Sequence, residues 1–118
     1  MKLLDLQHIE DSRGSLDILE ENLDFPIKRV FTITAPGGVE RGGHKHKKCQ
    51  MILICSHGSI EVIVNNGSGR KIVLLDRSNK AIFLDPVDWH IMRFLEDSVL
   101  VVLASETFNS DDYIYNEY

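Results

Sequence analysis

The chain is divided into many short apolar segments, and turn signals separate almost every segment from the next. Glycine, proline, asparagine and aspartate lie between the segments, as in Asn65-Asn66-Gly67, which favours a hairpin. No stretch has the apolar period of 3.6 residues that a long helix would need. The pattern predicts an all-β sandwich or barrel. The predicted strands cover residues 3–9, 16–19, 28–34, 51–55, 60–64, 71–75, 81–84, 89–94 and 98–104.

Length and composition restrict the class of protein further. With 118 residues, of which 43% are hydrophobic and 26% charged, the chain predicts a single globular domain over residues 1–118. The net charge of −5 argues against nucleic-acid binding, and no apolar run approaches the roughly 20 residues that cross a bilayer. Asp5 falls where a signal peptide needs its apolar core, so we expect a cytoplasmic protein whose Cys49 and Cys55 are reduced thiols.

One segment carries most of the functional signal. Residues 41–50 read Arg-Gly-Gly-His-Lys-His-Lys-Lys-Cys-Gln and precede a strongly apolar strand. Because side chains alternate along a strand, His44 and His46 point to one face while Lys45 and Lys47 point to the other. A histidine buried without a partner is costly, so two imidazoles directed at one interior favour a functional site.

Other parts of the chain supply further candidates. His90 begins the predicted strand 89–94, and we expect it to face the same interior as the histidine pair. On strand 28–34, Arg29 shares a face with Phe31, whereas Thr32 belongs to the opposite face. Arg41 is either a solvated loop cation or a group that anchors or polarises a substrate.

Several short motifs, taken together and in order, resemble the WxcM-like family of sugar-nucleotide ketoisomerases. The histidine pair followed by Gly58, Pro86 and His90 is also similar to the two-part layout of a cupin. The resemblance extends over nearly the whole chain. The motifs that carry it are residues 11–15, 28–30, 41–48, 53–55, 58–59, 89–90, 102–105 and 112–114.

The resemblance implies a cupin-type jelly-roll barrel with little or no helix, assembled as a homodimer. It also implies a dTDP-4-dehydro-6-deoxyglucose 3,4-ketoisomerase activity in the biosynthesis of deoxysugars for surface polysaccharides. Such an enzyme moves the ketone of a dTDP-4-keto-6-deoxyhexose from C4 to C3, and the resemblance implies neither a metal nor another cofactor.

The chemistry of this reaction suits the histidine pair. A base must remove the proton from the carbinol carbon, an enediol must form, and the former carbonyl carbon must be reprotonated. Imidazole titrates near neutral pH, which makes it a good proton carrier for these steps. We assign the carbon proton to His46 and proton movement at the sugar oxygens to His44, a division that could be reversed.

The resemblance also implies substrate contacts. The position of Arg29 is similar to a pyrophosphate contact, which suits the fork of donors on arginine. Arg13, in a tight-turn sequence, is either a turn residue or a nucleotide contact. The substrate-binding candidates are Arg13, Arg29, Thr32, Arg41, Gln50 and His90.

Two positions depart from the family pattern. Active members carry a tyrosine on the strand before the glycine-rich loop, where this chain has Phe31-Thr32. Thr32 can hydrogen-bond a sugar but cannot act as an acid in the way that a phenol does. The family glutamine corresponds to Met51, and a shift of one residue decides whether Gln50 or Met51 faces the interior. A weaker isomerase, a different sugar isomer and a protein without catalysis all stay open.

Two competing functions follow from the same residues. A non-catalytic sugar-nucleotide-binding cupin would bind the ligand without proton exchange. A metal-dependent cupin enzyme would use His44, His46, His90 and an acid, but Gln50 or Met51 occupies the acid position. We therefore expect no metal site.

Overall fold

The computed structural model describes residues 1–20 and 23–118, and regular structure in these ranges is almost entirely strand. A 3₁₀ turn at Ser110–Asp112 is the exception. The predicted all-β class is therefore confirmed. The strands are β1 (Lys2–Asp5), β2 (Gln7–Asp11), β3 (Gly14–Ile18), β4 (Arg29–Ala35), β5 (Glu40–His46), β6 (Met51–His57), β7 (Ile60–Asn65), β8 (Arg70–Leu75), β9 (Lys80–Leu84), β10 (Trp89–Phe94), β11 (Ser98–Ala104) and β12 (Tyr113–Ile114).

Two five-stranded antiparallel sheets form the body of the molecule. One has the order β1-β9-β6-β11-β4 and the other the order β12-β5-β10-β7-β8. Neighbours in each sheet come mostly from distant parts of the chain, as in a jelly roll. The predicted cupin-type architecture is confirmed.

The core lies between the two sheets. Ile60, Leu75, Ile82 and Leu100 are fully buried there, because each strand turns its apolar face inward. Strand β11 alternates between buried and half-buried residues and lies between β4 and β6. Its almost wholly apolar sequence therefore reflects the central position that the sequence predicts.

Two glycines bring β5 unusually close to β10. Gly42 and Gly43 have φ values of 96° and 83°, and a Cβ on Gly42 would lie 2.8 Å from the carbonyl oxygen of His90. The pairing of β5 with β10 shifts register between His90 and Ile91, and His44 lies opposite His90. The two glycines thus allow β5 and β10 to approach closely, and this approach places His44 next to His90.

The first apolar segment differs from its prediction as one strand. It divides at the buried Leu6, whose amide donates to the carbonyl of Asn79, and continues as β2. Strands β2 and β3 pair with each other and with no other strand in the described ranges. This hairpin therefore projects from the body of the molecule.

Within residues 1–20 and 23–118, no helix has the length and apolar character required to span a lipid bilayer.

Candidate active site

Three histidines converge at one end of the space between the sheets. His44 and His46 come from β5, and His90 comes from β10. The ring centroids of His44 and His90 are 5.0 Å apart, and those of His44 and His46 are 5.1 Å apart. The alternation of side chains along β5 thus places both of its histidines on the inner face, as the sequence predicts.

A cavity of about 220 Å³ opens beside these rings. Most of its wall is apolar. His44 and His90 form part of the wall, while the buried His46 packs directly behind His44. The lining residues are Phe31, Ile33, Arg41, Gly42, His44, Met51, Leu53, His90, Met92, Val102 and Tyr113.

A carboxylate fixes the orientation of His46. The Nδ1 of His46 lies 2.8 Å from the Oδ2 of Asp112, and both side chains are almost completely buried. The other oxygen of Asp112 accepts a 2.7 Å hydrogen bond from the amide of Lys48. With its Nδ1–H donated to Asp112, His46 carries its free lone pair on Nε2.

His90 is held in a similar way by the backbone. Its Nδ1 donates to the carbonyl of Asp88 over 3.0 Å, and the side chain is 1% exposed. Among the described residues, the buried Nε2 atoms of His46 and His90 have no hydrogen-bond partner. Two imidazole lone pairs are therefore free, and one of them belongs to a residue of the cavity wall, His90.

Burial keeps the three imidazoles neutral. Burial, followed by the neighbouring His90 and His46, lowers the pKa of His44 to about 3. Burial also lowers the pKa of His90 to about 4. For His46, burial lowers the pKa and outweighs the Asp112 carboxylate, which raises it. All three rings can accept a proton at neutral pH because none already carries one.

The Asp112 carboxyl stays ionised. Burial raises its pKa, but the hydrogen bonds from the Lys48 amide and from His46 outweigh that effect and lower the pKa overall. An ionised carboxylate can hold the Nδ1–H of His46 in place and stabilise the ring when a proton arrives on Nε2.

Tyr113 is a site residue that the sequence analysis missed. Its ring centroid lies 4.7 Å from those of both His44 and His46, and it lines the cavity. Strand β12 places it there by pairing Tyr113 with His46. The signal was the motif at residues 112–114, to which no site role was given. A phenol is thus present although Phe31 stands on the strand where the family tyrosine is expected.

One of the predicted arginines, Arg41, is part of the cavity wall, and a second, Arg29, contacts a residue of that wall. Arg29 lies at the start of β4, with its guanidinium carbon 5.1 Å from the ring centroid of Phe31, which also lines the cavity. In the described part of the chain, the buried Nε of Arg29 has no hydrogen-bond partner. His90 and Arg41 therefore share the cavity wall, and Arg29 lies next to that wall through its contact with Phe31.

Three predicted substrate contacts lie elsewhere. Thr32 is exposed on the outer face of β4, because strand alternation turns Phe31 and Ile33 inward. Met51, rather than Gln50, lines the cavity. Arg13 lies on the projecting β2–β3 hairpin, where it forms a 2.6 Å ion pair with Asp11. The structure does not bring Thr32, Gln50 or Arg13 to the cavity.

The histidine cluster also has the donor types of a metal site. One nitrogen from each of His44, His46 and His90 lies within 4.8 Å of the others. Among the described residues that line the cavity, no carboxylate completes this set, and Asp112 is already engaged with Nδ1 of His46. These three histidines could bind a metal ion only through three neutral imidazoles. The carboxylate ligand that normally accompanies histidines at a non-haem metal site is missing from the described cavity wall.

Comparisons with known proteins identify the relatives of this arrangement. The model of the family described as "FdtA: WxcM-like, C-terminal" matches residues 1–118. The chain belongs to this WxcM-like family. The resemblance inferred from the motifs is therefore confirmed.

A curated relative and two solved structures agree with the family. A TDP-4-oxo-6-deoxy-alpha-D-glucose-3,4-oxoisomerase of Aneurinibacillus thermoaerophilus is 41% identical over 117 residues, covering 96% of this chain and 84% of the relative. A 3,4-ketoisomerase from Helicobacter canadensis has a TM-score of 0.91 at 36% identity, with 98% and 90% of the two chains covered. The ketoisomerase QdtA from Thermoanaerobacterium thermosaccharolyticum, in complex with TDP, also has a TM-score of 0.91, at 34% identity with 98% and 87% covered.

Proposed function

We propose that this protein is a sugar-nucleotide 3,4-ketoisomerase that acts on a dTDP-4-keto-6-deoxyhexose in deoxysugar biosynthesis. The observation that carries the proposal is the pair of neutral imidazoles, His44 and His46, beside a cavity with a mostly apolar wall. The curated oxoisomerase relative supports the class of reaction and of substrate.

The reaction needs only proton transfers between neighbouring atoms. A base removes the proton from C3, and the C3–H bonding electrons form the enediol while the C4 oxygen takes up a proton. The C3 oxygen then gives up its proton, the double bond collapses to a C3 ketone, and C4 accepts a proton. No electron leaves the sugar, so the reaction is balanced without a redox partner.

The geometry supports giving the carbon proton to His44, the reverse of the division made from the sequence. His44 forms part of the cavity wall, whereas His46 lies behind it. Held by Asp112, His46 does not line the cavity, so we propose that it exchanges protons with the sugar oxygens through a neighbouring wall residue such as Tyr113. Contact with the cavity supports His44 as the base, because a general base must reach the proton that it removes.

Tyr113 and Arg41 are suited to stabilise the enediolate. Both lie in the wall beside His44, and both supply hydrogen-bond donors to a developing oxyanion. Arg29 is suited to hold the diphosphate, because its guanidinium lies near the cavity and presents an unpartnered Nε in the described structure. We propose His90 as a sugar contact from the opposite strand.

Product analysis tests the activity. The protein is incubated with dTDP-4-keto-6-deoxyglucose, and the ketone position is read by ¹³C NMR. We expect the C4 carbonyl signal to decrease as a C3 carbonyl signal appears, and we expect His44→Asn to abolish this change. Tight binding of the substrate with no movement of the ketone would instead identify a non-catalytic binding protein.

A metal-dependent enzyme is the second candidate, favoured by the cluster of His44, His46 and His90. A chelator distinguishes the two candidates. We expect protein treated with EDTA and exchanged into metal-free buffer to isomerise the sugar at the untreated rate. A loss of activity that is restored by iron, manganese or zinc would identify the metal-dependent enzyme.

We propose that two copies of the chain form a homodimer. Strand β4 leaves one edge of its sheet unpaired in the described structure, and Val30 on its outer face is 58% exposed. The projecting β2–β3 hairpin exposes Ile9 and Leu16, which lie opposite each other. An isolated hairpin is marginally stable, so packing of these apolar groups against a second copy would stabilise it.

We propose that the reaction takes place in the cytoplasm. Cys49 and Cys55 are both free and buried, which supports a reducing compartment.

A further inference from the structure

A second group of metal-binding donor types lies behind the catalytic cavity, at the turn that follows β5. Among the described residues, one donor atom from each of His46, Cys49 and Asp112 lies within 4.8 Å of the other two. Cys49 is 2% exposed and His46 is 3% exposed. None of the three residues lines the cavity. The group therefore shares His46 with the catalytic site but lies outside the cavity wall.

The local backbone brings these three side chains together. His46 ends β5, and only two residues separate it from Cys49, which is close to the spacing of paired ligands in structural zinc sites. The amides of Lys48 and Cys49 both donate to the carboxylate of Asp112, over 2.7 Å and 3.4 Å. These hydrogen bonds wrap the turn around the carboxylate and hold Cys49 beside it.

The donor types and their distances suit zinc. Zn²⁺ binds thiolate sulfur, imidazole nitrogen and carboxylate oxygen, usually in a tetrahedral arrangement. The Nδ1 of His46 and the Oδ2 of Asp112 are 2.8 Å apart. Two tetrahedral ligands at about 2.0 Å from zinc are roughly 3.3 Å apart, so this pair must open by only about 0.5 Å. The other oxygen of Asp112 keeps its hydrogen bond from Lys48, as ligating carboxylates usually do.

A hollow of about 130 Å³ gives an ion a route to Asp112. Its wall includes Asp112 together with Thr107 and Asn109, which are exposed to solvent. The carboxylate of Glu106, also in the wall, offsets the charge of Lys48 that would otherwise repel a cation. A water in this hollow can serve as the fourth ligand.

We propose that His46, Cys49 and Asp112 form an inhibitory site for Zn²⁺. The metal accepts one lone pair from each residue, and no group is oxidised or reduced. The S–H bond of Cys49 breaks as the Zn–S bond forms, and that proton passes to solvent. The hydrogen on Nδ1 of His46 leaves as the Zn–N bond forms, and the ring takes up one proton on Nε2. One proton is therefore released for each zinc ion bound.

Bound zinc would reverse the tautomer of His46. In the metal-free protein, Nδ1–H is donated to Asp112 and Nε2 carries the free lone pair. With zinc on Nδ1, the neutral ring carries its hydrogen on Nε2, and this atom can no longer accept a proton. The inhibition rests on the proposed function of His46 as a proton carrier, whereas the metal site itself does not.

Absorption spectroscopy with Co²⁺ tests the site without measuring activity. Cobalt occupies the same kind of site as zinc, and a bound thiolate adds a sulfur-to-cobalt charge-transfer band in the near ultraviolet. We expect wild-type protein treated with EDTA to show this band when Co²⁺ is added, and we expect Zn²⁺ to displace it. Cys49→Ala removes the sulfur, and we expect it to lack the band.

The other cysteine provides a matched control. Cys55 is also free and is 1% exposed, but it belongs to neither group of donor atoms in the described chain. We expect Cys55→Ala to give the wild-type cobalt spectrum. Cys49→Ser keeps the size of the side chain, and it replaces Cys49→Ala in every comparison if the alanine variant does not fold.

Zinc inhibition supplies the second readout. We expect saturating Zn²⁺ to lower the kcat of wild type and of Cys55→Ala by roughly 10- to 100-fold, and EDTA to reverse this loss. We expect Cys49→Ala with Zn²⁺ to stay within about twofold of its zinc-free rate, because a site that loses a ligand loses most of its affinity.

Failure of the zinc site can be separated from failure of the isomerase. Wild-type protein that isomerises the sugar but shows no sulfur-to-cobalt band overturns the zinc site alone. Equal zinc inhibition of wild type and Cys49→Ala also overturns it, because the ion would then bind the three histidines at the cavity. A Cys49-dependent band in active protein that zinc does not inhibit overturns the inhibitory role. Protein with that band that never moves the ketone keeps the metal site and overturns the enzymatic activity.

Discussion

Asp112 determines which nitrogen of His46 can take up a proton. The 2.8 Å contact holds the Nδ1–H and leaves Nε2 free. Asp112→Asn keeps the size of the side chain but can present an amide donor to Nδ1, which favours the wrong tautomer. We expect kcat to fall by roughly 10- to 100-fold with KM little changed, as for other residues that orient a functional histidine.

The neighbouring residue provides the control for this substitution. Asp111 is exposed and belongs to the same 3₁₀ turn. Asp111→Asn removes the same charge without touching His46, and we expect steady-state kinetics like those of the wild type. Equal rates for the two variants would show that Asp112 has no positioning role.

His90 makes stability depend on pH in a defined direction. Its ordinary pKa of 6.5 is lowered to about 4 in the fold by burial. Between these values, the unfolded chain binds a proton at this residue that the folded protein does not. The free energy of unfolding therefore falls as pH falls from about 6.5 to about 4, by up to about 1.4 kcal/mol per pH unit from this group.

Urea unfolding at pH 6.5, 5.5 and 4.5 checks that contribution. We expect His90→Gln to reduce the slope by about one proton, because the amide does not titrate. His8 is a contrast, since its hydrogen bonds to the carboxylates of Asp17 and then Glu10 raise its pKa above 6.5. Below about pH 6 both the folded and the unfolded chain carry this proton, so we expect His8→Gln to leave the slope from pH 5.5 to 4.5 unchanged. Parallel curves for wild type and His90→Gln would contradict a buried, neutral His90.

At the scale of single elements, the turn from β6 to β7 depends on one glycine. Gly58 has a φ of 87°, and a Cβ there would lie 2.6 Å from the carbonyl oxygen of Asp97. Gly58→Ala therefore adds a steric clash to the strain of the left-handed backbone. We expect a loss of roughly 2–4 kcal/mol in the free energy of unfolding.

Gly69 separates these two effects. Its φ is 106°, but a Cβ would meet nothing within 4 Å. We expect Gly69→Ala to cost only about 1–2 kcal/mol, since it has the backbone strain without the clash. Chemical denaturation of both variants checks the difference, and equal losses would contradict the tight packing of Gly58 against β11.

The strands could be predicted from the sequence because each is defined locally. Alternation on β4 put Phe31 and Thr32 on opposite faces, and alternation on β5 put the two histidines on one face, as the structure has them. The functional use of Tyr113 and Asp112 could not be predicted in the same way. Strand β12 has two residues, and its pairing with β5 joins positions more than 60 residues apart. No local sequence pattern indicates a contact between residues so far apart in the chain.

Thr32 illustrates a second limit of sequence reasoning. Its choice as a substrate contact followed the family position of a missing tyrosine, although alternation already set it opposite Phe31. The structure follows the alternation and leaves Thr32 exposed. A family motif can suggest one residue as the ligand contact while the alternation of side chains along the strand points to its neighbour. In this strand the alternation determines which side chain reaches the cavity.

At the scale of the whole molecule, the proposed homodimer would cover the projecting hairpin and the open edge of β4. We expect light scattering to give a mass near twice the 13.4 kDa of one chain. Replacing both Ile9 and Leu16 by serine removes the exposed apolar pair, and we expect this variant to shift towards the mass of one chain. A wild-type mass near 13.4 kDa at working concentrations would contradict the dimer.

The central claim is that two neutral imidazoles exchange protons with neighbouring carbons of a nucleotide-bound sugar. Incubation with a dTDP-4-keto-6-deoxyhexose in deuterated water, followed by NMR, measures this exchange directly. We expect deuterium to appear at C3 or C4 with the wild type and to be absent with His44→Asn. Protein that binds the sugar nucleotide without incorporating deuterium, or a His44→Asn variant that incorporates it at the wild-type rate, would contradict the account.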